Sequence, residues 1–197
     1  MGPRNADYGA REGPGRLRDV EDIEVCECSG QDLEWHGYIH EAAHAVAAVD
    51  NDIRFECIYL YAEGAGPSVN GGLSRVTAEA KMPSEDPATW VLPDTATSFR
   101  FCAAGTLAEE QLIGHGMYGA YDKDVEYWLK GAGRLGAITA AEFHALIGGS
   151  ADDVAASIMA WASCNEERIE RLAAHLATLS RPTEVSYDEV VSLVGRN

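Results

Sequence analysis

A chain of 197 residues, 46% hydrophobic and 24% charged, is long enough to bury a proper core and suggests one globular domain. Its net charge of −17 repels phosphate backbones and anionic lipid, which sets nucleic-acid and membrane-surface binding aside. No run approaches the roughly 20 apolar residues that span a bilayer, and the N-terminus has no apolar signal core. The five irregularly spaced cysteines favour a reducing cytoplasm over a disulfide framework.

Residues 1–30 are rich in Gly, Pro, Arg and acids and predict a flexible N-terminal arm, with a short strand at its end in "DIEVCEC". A single domain follows over residues 31–197. "WHGYIHEAAHAVAAVD" (35–50) carries apolar side chains at Tyr38, Ile39, Ala42, Ala43, Val46 and Val49, a helical period. "IRFECIYLYAE" (53–63), dense in β-branched and aromatic residues, predicts a strand, and "LSRVTAEA" after Gly71-Gly72 predicts a second. Proline-rich 81–94 predicts a loop, and 95–114 a helix ended by Gly114. "DKDVEYWLK" opens another helix, and helical periods follow at 138–147, 151–177 and 187–194. The order predicts an α+β, mostly helical fold with a small sheet and a C-terminal helical bundle.

Within the first helix stands His40-Glu41-Ala42-Ala43-His44. From the composition, chance would produce such an H-E-x-x-H pattern about 0.02 times in this chain, so it is not an accident of histidine content. His40 and His44 lie one turn plus about 40° apart, which points both imidazoles from one face, as two ligands of one zinc ion require. Glu41, rotated by about 100°, is aimed at a water beside the ion and suits a general base. Buried without a metal, two imidazoles and a carboxylate would be costly to desolvate. His36, a turn upstream, is too far along the axis to share the ion and is expected to support a ligand or face solvent. A catalytic zinc wants a third protein ligand, and the candidates His115, Asp122, Asp124, Glu109 and Glu110 all lie far downstream.

Several segments then carry a resemblance. "YIHEAAHAVAA" resembles the "HEAGHA" helix of the FtsH-type zinc peptidases, and "FECIYLYAEG…GGLSRV" that family's two following strands. "AAGTLAEEQLIG" is similar to its "GGRAAEELIFG" helix, "GAYDKDVEYW" to its "GASNDLERA" segment, and the C-terminal helices to its closing pair. The likeness runs in order over residues 36–197. It implies a zincin-like, zinc-dependent endopeptidase domain in which His40 and His44 are metal ligands, Glu41 is the base and Asp124 is the third ligand. Asp122 is the alternative third ligand, because the aspartate segment is one residue longer here. Glu109 and Glu110 are expected to be helix surface charge or an ion pair, with orientation of a ligand histidine as the functional option.

The sequence also departs from the family. Ala43 replaces a glycine, Thr106 replaces an arginine, and 131–150 looks like a divergent or inserted piece. There is no "GxxxxGK[ST]" and no hydrophobic span, so the chain resembles the peptidase half without its ATPase and anchor. The implied substrate is extended or unfolded polypeptide, delivered by a separate unfoldase or adaptor where it is not already flexible. The expected docking edge is Gly72, Leu73, Ser74, Arg75 and Val76, to which a peptide adds as a strand. The competing expectation is a zinc-containing binding or regulatory module that no longer cleaves. Cys26 and Cys28 form a lone C-x-C, a weak metal signal, and Trp35, Tyr59, Tyr61 and Trp128 are expected in the core. The family's hexameric symmetry is tied to the ATPase ring and is not carried over.

Overall fold

The computed structural model describes residue 28 and residues 30–69, 74–90, 92–116, 120–134 and 138–196. Residues 1–27, most of the expected N-terminal arm with its short strand, lie outside the described residues.

The fold is α+β and mostly helical, around a small antiparallel sheet. Helix α1 (Gln31–Asp50) is alanine-rich and buried from His36 to Val49 on nearly every face, so it is the central rod rather than a surface helix. After it come β1 (Cys57–Leu60), a hairpin of β2 (Ser68–Val69) and β3 (Ser74–Arg75), and β4 (Ala78–Lys81). Helix α2 (Thr95–Leu112) follows, its start fixed by the Asp94 carboxylate, which accepts from the Thr97 amide at 2.9 Å. Then come α3 (Ala120–Gly131), α4 (Ala140–Ile147), α5 (Ala151–Cys164), α6 (Glu166–Thr178), β5 (Thr183–Ser186) and α7 (Tyr187–Val194). Among the described residues, no helix is long and apolar enough to cross a membrane.

The sheet order is β4-β1-β5, with β1 paired antiparallel to both neighbours: Ile58 lies opposite Ala80 on one side and Val185 on the other. β4 is therefore an edge, and it runs beside α1. The predicted strand "LSRVTAEA" is two strands, because β3 pairs with β2 while β4 joins the main sheet. The predicted helical run 151–177 is also two elements. It breaks at Asn165, which adopts a non-helical conformation and caps both pieces.

The core is one cluster in which α1 packs on α2 and α6, and α2 on α3, α4 and α5. Trp128 and Phe143 stack edge-on against Phe99 at 4.9 and 5.5 Å. Residues 131–150, which read as an insertion, thus supply Phe143 and Ile147 to the core itself.

Candidate metal centre

α1 and α2 approach closely where Gly105 faces the histidine stripe. A Cβ at Gly105 would sit 2.6 Å from Nε2 of both His40 and His44, so only glycine leaves room for the two imidazoles against α2. The Nε2 atoms of His40 and His44 are 3.0 Å apart. From α3, the Asp124 Oδ2 lies 3.3 Å from the first and 3.4 Å from the second. Three ligand atoms on a tetrahedral zinc, at 2.0–2.1 Å each, would be separated by about 3.3–3.4 Å. The three side chains already form nearly that triangle.

The hydrogen bonds explain why a cation belongs there. His44 Nδ1 donates to the Phe101 carbonyl at 2.8 Å, and a carbonyl can only accept. His40 Nδ1 donates to Glu109 Oε1 at 2.6 Å. Burial alone would push the Glu109 carboxyl up, but the bonds from His36 and His40 outweigh it and hold it below its ordinary range, so it too only accepts. With both Nδ1 protons committed, each neutral ring presents a lone pair at Nε2. Asp124 Oδ2 is buried and has no hydrogen-bond donor among the described residues. With both rings neutral, three acceptors therefore converge on one point. A metal ion, or protons, must neutralise them, and the His–carboxylate and His–carbonyl supports are those that orient imidazole ligands.

Two opposing effects shape the site's acidities. Burial lowers the His40 pKa, but Asp124 and Glu109 more than reverse this and hold it well above 6.5. Burial raises Asp124, yet the His44 and His40 rings bring it down to about 2. Glu41 does not join the triangle. Its Oε2 accepts from the Ala80 amide of β4 at 2.7 Å, and burial raises its carboxyl above the usual value despite the two neighbouring histidines. That shift moves it toward the neutral range in which a carboxylate can take and return a proton.

Other candidates separate cleanly. His115 stands not at this triangle but with Cys28 and His36, and Glu110 is in neither group. Glu109, expected as surface charge, is completely buried and holds two histidines, since His36 Nδ1 donates to its Oε2 at 2.8 Å. Asp122 lies on α3, and its side chain is outside the described residues. Thr106, which stands where the resembling family has arginine, buries a hydroxyl with no partner among the described residues. Of the expected docking edge, Gly72 and Leu73 are outside the described residues, Ser74 and Arg75 belong to the separate hairpin, and the Val76 amide donates to the Pro67 carbonyl. The strand that meets Glu41 is β4, four to six residues further on. Gly105 and Ala80 carried no sequence signal of their own, because their roles depend on contacts between distant elements.

Compared with known proteins, the chain matches no family model and no curated protein.

Proposed function

We propose that the protein is a zinc-dependent endopeptidase of the FtsH type, acting on extended segments of polypeptide. The observation that carries this reading is the convergence of two Nε2 lone pairs and an orphaned carboxylate oxygen, with Glu41 beside them, bonded to the Ala80 amide of the edge strand β4. The motif spacing and the order of resembling segments supply the peptidase part.

Zinc, when bound, supplies Lewis acidity and brings the pKa of a coordinated water toward about 7. His40, His44 and Asp124 would hold it. Glu109 and the Phe101 carbonyl fix the two rings so that both ligands are pre-oriented. A substrate strand adds antiparallel to β4, an edge strand of the sheet among the described residues, beside Glu41. Glu41 is tethered to that edge by the Ala80 amide, so the base and the docking strand are positioned together. It accepts the proton of the attacking water and delivers it to the departing amine. Folded proteins do not offer a free strand, so substrates are flexible segments or are presented by a separate unfoldase.

Glu41→Gln keeps the shape and removes the base. The expected result is undiminished zinc content with peptide-library cleavage reduced by about 10²-fold or more. Cleavage at the wild-type rate by a zinc-loaded Glu41→Gln protein would overturn the assignment.

A further inference from the structure

The carboxylate that supports His40 supports a second histidine in the same way. Glu109 Oε1 takes the Nδ1 proton of His40 at 2.6 Å, and Oε2 takes that of His36 at 2.8 Å. One carboxylate therefore sets the tautomer of two rings a turn apart, and each becomes a lone-pair donor through Nε2. For His40 that lone pair serves the triangle described above. His36 itself stands in a different group, because Cys28, His36 and His115 place one sulfur and two ring nitrogens within 4.8 Å of one another.

Three elements far apart in sequence build this group. Cys28 precedes α1, His36 lies in its second turn, and His115 follows α2. Gly114, with φ 94°, is the residue that turns the chain at the end of α2. His115 Nε2 then lies 3.3 Å from Cys28 Sγ, and its ring centroid 4.7 Å from that of His36. Sulfur and nitrogen ligands on a tetrahedral zinc, at about 2.3 and 2.0–2.1 Å, stand about 3.5 Å apart, so the Cys28–His115 edge is already near coordination length. His36 is buried, and Cys28 and His115 are half-buried, which gives an ion a route in from solvent.

We propose that Cys28, His36 and His115 form a second metal site for a divalent ion of the zinc class. A thiolate with two imidazoles is a borderline-soft set that disfavours magnesium and calcium. The site is structural: it fastens the segment before α1 and the turn after α2 onto α1, and Glu109 ties its histidine to the one in the triangle. It stands whether or not the triangle serves peptide cleavage.

The full chain, purified and loaded with zinc, is expected to hold two ions, falling to one in Cys28→Ser and to one in Asp124→Ala. Cobalt distinguishes them, because the triangle contains no sulfur. Cobalt-loaded wild type and Asp124→Ala should both show a thiolate-to-cobalt charge-transfer band in the near ultraviolet, and Cys28→Ser and His115→Ala should lose it. A single ion that Asp124→Ala removes, with no such band, would overturn the second site while leaving the triangle intact. A band that survives in Cys28→Ser would overturn it as well, since the sulfur would then be another cysteine, such as Cys102. Far-ultraviolet circular dichroism identifies any variant that fails to fold, and His115→Ala serves in place of Cys28→Ser in that event.

Discussion

Helix α1 carries two largely buried polar networks, and they are built on opposite principles. Near its end, Asp50 meets Arg168 at 2.8 Å, and the same guanidinium donates to Asn165 Oδ1 at 2.6 Å and to the carbonyls of Val194 and Gly195 at 3.0 and 2.9 Å. Trp161 adds a donor to Asp50 at 3.2 Å. Arg168 and Trp161 both donate to Asp50 Oδ2, while Oδ1 meets the guanidinium as an ion pair without a hydrogen bond, and the result locks α1, α5, α6 and the end of α7 together. Two turns back, His40, His44 and Asp124 face acceptor to acceptor. A network that only holds a fold closes upon itself. The triangle, on the proposed reading, is left short of a positive charge that an ion would supply.

Gly105→Ala should break the contrast most severely. The new methyl would stand 2.6 Å from both Nε2 atoms, where two imidazoles of a packed interface have little room to yield. Zinc at the triangle should fall from stoichiometric to trace, with a loss of about 1–3 kcal/mol in stability from overpacking. Zinc analysis and chemical denaturation measure both, and wild-type zinc content in this variant would mean the ligands are not seated against α2. Arg168→Ala should do the reverse. Removing one partner of a largely buried pair is expected to cost about 3 kcal/mol of stability while leaving zinc content unchanged.

Glu109→Gln sharpens the comparison inside the site itself. Two Nδ1–H donors need two acceptors, and an amide offers one acceptor and one donor. One histidine must therefore lose its support or change tautomer. Zinc affinity should weaken by about 10- to 100-fold, read by competition with a chelator of known strength. An unchanged affinity would show that Glu109 neutralises the histidines without orienting them.

How much of this was legible beforehand follows from the range of each interaction. The triad His40, Glu41 and His44 is set by spacing along one helix, and the sequence displays it directly. Asp124 needed the resemblance, because nothing local distinguishes it from Asp122, whereas its place beside the histidines comes from α3 packing on α2. Glu109 reads as one of a pair of acids on an amphipathic helix, and its complete burial is visible only once α1 lies across α2. β5 was missed for the same reason. It is four residues long with only Val185 buried, and its pairing to β1 spans more than a hundred residues of chain. The proposed docking edge is β4 rather than Leu73–Val76, because a period-two pattern gives the faces of a strand but not which neighbour it will pair with.

The smallest expected effect is a matter of protons, and it tests whether charge shortage is the right description. In the metal-free protein His40 is held well above 6.5, so the stability it contributes is complete below that value and lost as the pH rises through its folded pKa. Asp124, brought from 3.8 to about 2, contributes above 3.8 and loses that contribution only as the pH falls toward 2. Chelated protein should therefore be most stable between these limits and should melt progressively lower as the pH is raised above 6.5. Above 6.5 bound zinc supplies the missing positive charge, so the loaded protein should not share the alkaline decline. Binding at neutral pH must then displace the proton on His40. Titration calorimetry in buffers of different ionisation enthalpy should show about one proton released per triangle filled, with apparent affinity rising up to about tenfold per pH unit. Asp124→Ala removes the chief carboxylate that raises His40, and both the alkaline decline and the proton release should shrink with it. If the decline is the same in Asp124→Ala as in the parent, the charge shortage lies elsewhere than at the triangle.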